Sequence, residues 1–277
     1  MHSIEEFIEL ALKEDIGPGD ITTDNLIDSE LSGVGTIIAK EPLVLAGLDV
    51  AAKVFQRLDP QISFKPHYRD GDSVKPRESI VTISGNLRAL LTGERTALNF
   101  LQRLSGIATL VRSYVEKLGQ TTVRLVDTRK TTPGWRTLEK YAVRIGGAYN
   151  HRMGLYDGVL IKDNHIEVCG GISAAIEGIR EIVSHLGKIE VEVSDLPGVE
   201  EALAAGADVI MLDNMDIQQV TEAVKRINGK AVVEVSGGIT DQSLKQLGKT
   251  GVDIISVGAL THSARSVDLS MRIEPSK

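Results

Sequence analysis

The sequence lacks most features that mark secreted, membrane-spanning or disulfide-stabilised proteins. One residue of 277 is cysteine, so no disulfide can form within the chain. No apolar run reaches the roughly 18 residues that a membrane-spanning helix needs. The first turns carry Glu5, Glu6 and Glu9, where a secretory signal would be basic and then apolar. We therefore expect a cytoplasmic protein without a membrane partner.

Common cofactor-binding motifs are also missing. The chain has no cysteine–histidine spacing of a zinc site, no Walker-type phosphate loop and no dinucleotide fingerprint. Cys169 and His165 alone are weak signs of a metal or a nucleophile. The formal net charge is −7, which argues against nucleic acid as the main partner. Hydrophobic residues make up 42% and charged residues 25%, so the composition is that of a folded globular chain.

The net charge hides one basic segment. Residues 123–162 contain eight basic and three acidic residues, a net charge of +5, whereas the rest of the chain carries −12. Such a segment indicates either a local site for a small polyanion or a solvated basic surface. Charge alone does not separate these two interpretations.

The first part of the chain mixes helices and strands without regular alternation, which is typical of α+β domains. It opens with a helix that Ser3 and Glu6 cap, and a second helix is predicted over 48–58. Period-two alternation predicts strands over 34–40, 43–46, 62–68 and 79–84, the last two antiparallel. A long helix over 90–118 follows, and we expect Ser105 and Gly106 to break it into two.

After Gly119, short apolar strands alternate with amphipathic helices. The strands are predicted over 123–126, 159–161, 189–193, 209–212, 232–235 and 254–257. The helices between them include 172–186, 198–205, 217–227 and 241–247. This pattern predicts parallel strands with right-handed crossovers. Six strands are too few for a complete eight-stranded barrel, so we expect an open, incomplete parallel α/β barrel, with a doubly wound sheet as the alternative.

In such sheets, ligands bind at the carboxyl ends of the strands. All six predicted strand ends carry polar, charged or glycine residues. In chain order these are Arg129 with Lys130, Lys162, Glu192, Asp213, Ser236 with Gly237, and Gly258 with His262. His151 and Arg152 lie between the first two strands. Any one of them fits a loop or a helix cap, but the full set favours a binding site.

The residues at these strand ends fall into chemically different groups. Glycine turns after the last two strands let backbone N–H groups approach a phosphate, although either turn alone also fits an ordinary tight turn. The cationic group comprises Arg129, Lys130, His151, Arg152 and Lys162. Converging cations repel each other unless the ligand carries at least two negative charges. Glu192 and Asp213 would accept hydroxyl groups or bind magnesium, so a ligand with carboxylates, a phosphate and a sugar would use every group.

Several blocks of the chain resemble the quinolinate phosphoribosyltransferase family. These blocks are Glu94–Asn99, Ser105–Thr109, Asp127–Gly134, Asn150–Arg152, Ile161–His165, Met211–Asn214, Ser236–Gly238 and Ser256–His262. They occur in the family's order and span essentially the whole chain, and the Asp-Thr-Arg-Lys-Thr block is specific. Ala148 stands where a third glycine is usual, which puts no functional residue in doubt.

The resemblance implies the domain organisation and the assembly. An α+β N-terminal domain over 1–108 packs on an open parallel α/β barrel over 109–265, usually described as seven-stranded. The C-terminal segment over 266–277 joins the first domain. The active sites form between subunits of a homodimer or homohexamer.

The resemblance also implies the reaction. The enzyme is a glycosyltransferase of the pentosyltransferase class, which joins quinolinate to phosphoribosyl pyrophosphate. The products are nicotinate mononucleotide, pyrophosphate and carbon dioxide, magnesium is the cofactor, and the reaction belongs to NAD biosynthesis.

The same resemblance implies a role for each site residue. Quinolinate carboxylates would be held by Arg129, His151, Arg152 and Lys162, with Arg95 from the neighbouring subunit. Catalytic roles fall to Lys130 between the substrates, and to Glu192 and Asp213 at the ribose hydroxyls and magnesium. The phosphate groups would contact Ser236, Gly237, Gly258 and His262.

Three other functions compete with this interpretation. A sister phosphoribosyltransferase would act on another acidic ring. A Schiff-base aldolase would use Lys162 at its strand end, provided that the amine were neutral. A non-catalytic sensor would bind a phosphorylated ligand without turnover.

Overall fold

A computed structural model describes residues 4–276, so the predicted cap at Ser3 lies outside the described residues. The helices are α1 (Ile4–Ile16), α2 (Ile21–Leu26), α3 (Leu48–Leu58), α4 (Leu87–Leu118), α5 (Arg136–Gly146), α6 (Asp163–Cys169), α7 (Ile172–Arg180), α8 (Leu196–Ala204), α9 (Ile217–Ile227), α10 (Asp241–Leu247) and α11 (Ala259–His262). The strands are β1 (Ser32–Ala39), β2 (Leu43–Val44), β3 (Ser63–Pro66), β4 (Ser73–Val74), β5 (Ser79–Asn86), β6 (Arg124–Val126), β7 (Val159–Ile161), β8 (Ile189–Val193), β9 (Val209–Asp213), β10 (Val232–Ser236), β11 (Ile254–Ser256) and β12 (Leu269–Pro275). Within the described range, no helix is both long and apolar enough to cross a bilayer.

The first compact unit comprises the described residues of 1–112, 141–146 and 264–277. Its main sheet has the strand order β12-β1-β5-β3, and the β1–β12, β1–β5 and β3–β5 pairings are antiparallel. The antiparallel pairing predicted for 62–68 and 79–84 is thus confirmed. Helix α3 buries Val50, Val54 and Phe55 because apolar residues recur at helical spacing along one of its faces.

Helix α4 is continuous from Leu87 to Leu118, so the predicted break at Ser105 and Gly106 was wrong. Both residues serve packing instead. The buried Ser105 hydroxyl accepts the backbone N–H of Ala46 at 3.0 Å and donates to its carbonyl at 3.2 Å. A Cβ at position 106 would lie 2.0 Å from the carbonyl oxygen of Arg265. Glycine is needed there because another segment passes close to the helix.

The second compact unit comprises residues 113–140 and 147–263. Its six strands form one parallel sheet in the order β6-β11-β10-β9-β8-β7, which confirms the predicted parallel α/β arrangement. The family that the sequence resembles is usually described as seven-stranded, so the resemblance implies a seventh strand. In this chain the additional pairing is a single parallel bridge between Val126 and Tyr149. The domain boundaries predicted after residues 108 and 265 remain predictions.

Helix α7 ends at Arg180, earlier than the predicted 186. Ile182 and Leu186 extended the apolar pattern, but both side chains are more than four-fifths exposed. The chain turns at Ser184, whose carbonyl accepts the N–H of Gly187. An apolar period therefore predicts a helix only as far as its apolar positions are buried.

Candidate active site

A cavity of about 770 Å³ lies in the second unit, at the carboxyl ends of its strands. Eleven of the twelve predicted site residues line it, namely Arg129, Lys130, His151, Arg152, Lys162, Glu192, Asp213, Ser236, Gly237, Gly258 and His262. The remaining residue, Arg95, is exposed on α4 in the first unit and does not line this cavity. The structure therefore brings the glycine turns, the cationic group and the two carboxylates together in one cavity, while the individual roles of these residues remain predictions.

An ion pair joins two of the strand ends. The Lys162 ammonium lies 2.5 Å from Oε2 of Glu192, and the Lys162 backbone N–H donates to Nδ1 of His165 at 3.0 Å. His165 belongs to α6, a helix that the sequence analysis missed. Gly170 was an available signal, since helices commonly end at a glycine. In the structure Gly170 ends α6 with φ +85°.

The glycine turns permit close contacts between neighbouring strand ends. Gly237 has φ +89°, and a Cβ there would lie 2.2 Å from Oδ1 of Asn214. A Cβ on Gly258 would lie 2.8 Å from Cδ of Lys130 and 3.2 Å from the His262 ring. Any side chain at either position would therefore displace groups that line the cavity. Phosphate binding at these turns stays a prediction.

Beneath the cationic group lies a cluster of acids that the sequence analysis resolved only in part. His151 Nε2 is 3.2 Å from Oε2 of Glu190 and 3.6 Å from Oε1 of Glu234. Glu190 lies two residues before Glu192 on β8, so the period of two predicts that they share one strand face, whereas Glu234 was overlooked. The signal was available, because Glu234 is a lone charge within the apolar strand β10. It is 1% exposed and lines the cavity.

The hydrogen bonds of His151 define which of its nitrogens carries the proton. Nδ1 accepts the backbone N–H of Arg152 at 2.8 Å, so the proton of a neutral ring lies on Nε2 and faces the acids. A metal ion is the alternative occupant of this cluster, since the ligand atoms of His151, Glu190 and Glu234 lie within 4.8 Å of one another. A metal on Nε2 would place the proton on Nδ1, against the Arg152 N–H. The cluster therefore suits a shared proton better than a metal.

Burial, together with the neighbouring Glu190 carboxylate, raises the pKa of Glu234 to about 7. Oε1 of Glu234 is also buried without a hydrogen-bond partner, which disfavours the charged form of this side chain. Glu234 is consequently a neutral carboxylic acid over the acidic range. Its side chain would hold a proton at the floor of the cavity.

We expect Glu234→Gln to stabilise the folded chain at pH 8. The unfolded carboxyl ionises near its ordinary pKa of 4.5, whereas the folded one ionises near 7. Wild-type stability should thus fall between those pH values, by about 3 kcal/mol, and the glutamine variant should escape this loss. Urea unfolding at pH 5 and pH 8 measures it. Equal pH dependence in both proteins would contradict the prediction, and the exposed Glu181→Gln should differ from wild type by less than about 0.5 kcal/mol.

Comparison with known proteins agrees with this architecture. The family model described as "Quinolinate phosphoribosyl transferase, N-terminal domain" matches residues 20–105, and the one for the C-terminal domain matches 107–272. The "Probable nicotinate-nucleotide pyrophosphorylase [carboxylating]" of Bacillus subtilis is 47% identical over 94% of this chain and 90% of its own length. A chloroplastic protein of Arabidopsis thaliana, named "Nicotinate-nucleotide pyrophosphorylase [carboxylating]", is 38% identical over 99% of this chain and 83% of its own.

Solved structures extend the likeness to the backbone. The crystal structure of NadC from Streptococcus pyogenes has a TM-score of 0.95 and 42% identity, covering 99% of this chain and 97% of that one. The nicotinate-nucleotide pyrophosphorylase from Ehrlichia chaffeensis has a TM-score of 0.94 and 40% identity, with 99% of both chains covered. With both family models matched along nearly its full length, the chain belongs to the quinolinate phosphoribosyltransferase family.

Proposed function

We propose that the cavity in the second unit is the active site of a decarboxylating quinolinate phosphoribosyltransferase. The enzyme transfers the phosphoribosyl group of phosphoribosyl pyrophosphate to quinolinate, and it releases nicotinate mononucleotide, pyrophosphate and carbon dioxide. One observation carries this conclusion: cations, carboxylates and glycine turns from six parallel strands meet in a single cavity. Family membership and the names of the relatives support it.

The cationic side of the cavity suits the two quinolinate carboxylates. Burial, and then repulsion from the neighbouring Arg129, lower the pKa of Arg152. A dianion between the two guanidinium groups would relieve that repulsion, and each fork could bind a carboxylate through two hydrogen bonds. His151 and Lys162 complete this group. The ion pair of Lys162 with Glu192 would have to open for Lys162 to bind the substrate.

The reaction itself needs no enzyme nucleophile. The pyridine nitrogen attacks the anomeric carbon while pyrophosphate leaves, through a state with oxocarbenium character. Lys130 lies beside Gly258 in the cavity and would stabilise the charge on the departing phosphates. The quaternised ring nitrogen then favours breaking of the bond to the adjacent carboxylate, since the ring cation stabilises the electron pair left on carbon. That carbon takes up a proton after carbon dioxide leaves. The protein thus acts mainly by positioning and neutralising its substrates.

Glu192 and Asp213 suit magnesium in their chemistry. Both carboxylates line the cavity, and Mg²⁺ prefers hard oxygen ligands, commonly one or two carboxylates with substrate phosphates. When bound, the ion would neutralise phosphate charge and assist departure of the pyrophosphate. Asp213 also accepts a hydrogen bond from the amide of Asn214 at 2.7 Å, which orients its carboxylate. The same two residues would accept the ribose hydroxyls.

We expect Asp213→Asn to reduce turnover by about 10-fold or more at limiting magnesium, while quinolinate affinity stays within about twofold of wild type. The amide can still hydrogen-bond a ribose hydroxyl but contributes no charge to the metal. Steady-state rates across a magnesium titration measure the effect. A defect that additional magnesium leaves unchanged, with both substrates still bound, would contradict the metal role. The exposed Glu167→Gln is the surface-charge control.

The family resemblance assigns Arg95 to the active site of a second copy of the chain. It is exposed on α4, outside the cavity of its own chain. We therefore propose a homodimer or a higher oligomer, such as a hexamer, in which Arg95 enters the neighbouring active site.

The Schiff-base aldolase receives little support from the geometry. That chemistry requires a neutral lysine amine, whereas the Lys162 ammonium is salt-bridged to Glu192. Purified protein with quinolinate, phosphoribosyl pyrophosphate and magnesium should produce nicotinate mononucleotide and carbon dioxide. No product from folded enzyme would contradict the proposed function, and binding without turnover would indicate a sensor. Excess nicotinate or orotate should compete poorly if quinolinate is the substrate.

A further inference from the structure

Helix α5 contributes a buried charge to the second unit that the proposed chemistry does not use. The side chain of Lys140 is 1% exposed, that of Asp127 is fully buried, and Lys140 Nζ lies 2.5 Å from Asp127 Oδ1. Burial raises the pKa of Asp127 and lowers that of Lys140. Buried ion pairs of this kind are seldom better for stability than apolar side chains of similar size. Stability alone therefore does not account for this one.

The remaining hydrogen bonds of the pair go to the segment that carries two cavity residues. Lys140 Nζ donates to the carbonyl oxygen of His151 at 2.9 Å and to that of Arg152 at 3.0 Å. Asp127 accepts the backbone N–H of His151 at 2.9 Å and the Asn150 amide at 2.6 Å. The ion pair thus fixes three consecutive residues by main-chain and side-chain contacts.

Arg136, one helical turn before Lys140, holds the flanking segments in a similar way. Its guanidinium donates to Oγ1 of Thr131 at 3.0 Å and to the Met153 carbonyl at 3.1 Å. Asp127 itself directly precedes Thr128 and Arg129 of the first cationic loop. The loop that carries Arg129 and the loop that carries Arg152 are therefore both hydrogen-bonded to one face at the start of α5.

We propose that Lys140 and Asp127 are positioning residues for the quinolinate carboxylates: the buried pair fixes the His151–Arg152 backbone so that both side chains face the cavity. The inference rests on the proposed function, which assigns His151 and Arg152 to quinolinate. The physical need is clear, because Arg129 and Arg152 repel each other before the substrate binds. Without an anchor, the loop would relax away from its neighbour, and substrate binding would have to restore it.

The test compares the two substrates in Lys140→Met. Methionine keeps an unbranched, apolar side chain of similar length but removes all three donated hydrogen bonds. We expect the quinolinate KM to rise about 10- to 100-fold, as for other residues that orient binding groups. The KM for phosphoribosyl pyrophosphate should change less than about twofold. A merely structural defect would lower the amount of active enzyme and leave the ratio of the two KM values unchanged.

Asp127→Asn keeps the volume of the side chain, and it is the second test variant if Lys140→Met does not fold. Its oxygen can still accept from Lys140, but its amide nitrogen meets the Asn150 amide as a second donor, so a smaller shift of the same kind is expected. Arg180→Met is the matched control, since it removes a half-exposed ion pair with Asp208 in the same unit. It should leave both KM values within about twofold.

The outcomes separate this inference from the proposed function. Quinolinate binding that is insensitive to Arg152→Ala would overturn the assignment of Arg152, whatever the Lys140 variant does. If Arg152→Ala weakens quinolinate while folded Lys140→Met or Asp127→Asn binds both substrates normally, the positioning role is overturned. A selective rise in the quinolinate KM, in a variant that is still folded at the assay temperature, would support it.

Discussion

Replacing Arg152 by alanine should weaken quinolinate binding by about 30-fold or more while phosphoribosyl pyrophosphate binds almost normally. Removing one partner of a buried charge pair costs about 2–5 kcal/mol. Arg152 is half-buried, and its guanidinium already donates to the carbonyl of Gly158 at 2.9 Å, which holds it in place without substrate. The variant keeps the main-chain hydrogen bonds from Lys140 and Asp127 that hold this loop, so the loss should come from the missing carboxylate contact.

Calorimetry with each substrate alone measures this difference. Arg124→Ala is a matched control, since it removes the same charge from the same basic segment at an exposed position outside the cavity. We expect it to change either affinity by less than about twofold. Equal losses for both substrates in Arg152→Ala would show that the carboxylate assignment is wrong.

The second large effect concerns Arg95 and tests the assembly together with the chemistry. Arg95→Ala and Lys162→Ala should each be nearly inactive alone, because each removes a cation from every active site. Co-refolding the two should restore activity, since a heterodimer has one site lacking both groups and one intact site. With random mixing, about half the dimers are mixed and recovery should approach about a quarter of wild type.

Mass spectrometry of the refolded mixture verifies that heterodimers form. No recovery in verified heterodimers would place Arg95 in its own chain's site or in none. If Arg95 were an ordinary surface arginine beside Glu94, Arg95→Ala alone would keep near wild-type activity, as isolated surface pairs contribute about 0–1 kcal/mol. The two interpretations therefore differ already at the single variant.

The second unit could be predicted well because its information is local. Each strand reads as a short apolar run, each following helix has its own period, and the polar residues at the strand ends collect in one cavity by topology alone. Helices α9 and α10 have the predicted bounds. The residues predicted at the strand ends line one cavity for the same reason, while their roles stay predictions.

Features that depend on distant parts of the chain were harder to predict. The supposed break at Gly106 reflects a carbonyl of Arg265 that no local pattern reveals. Glu234 is a single charge in an apolar strand, and the sequence alone gives no reason for it. The reason is its contact with His151, which also pairs with Glu190, and these residues come from other segments of the chain. The pairing of Lys140 with Asp127 is equally non-local. A basic residue on an amphipathic helix is ordinarily a solvated one, and composition does not show that this one is buried.

The position of β12 has a consequence for how the chain is made. Strand β1 is hydrogen-bonded on one side to β5 and on the other to β12, which follows the second unit in the sequence. During synthesis the β5 partner is available early, while the opposite edge of β1 stays unpaired until β12 has left the ribosome. The whole second unit is translated in that interval. An exposed edge of this kind is a template for pairing with other chains, so the nascent protein is vulnerable to aggregation for as long as the second unit is being made. Premature termination before β12 would make that vulnerability permanent.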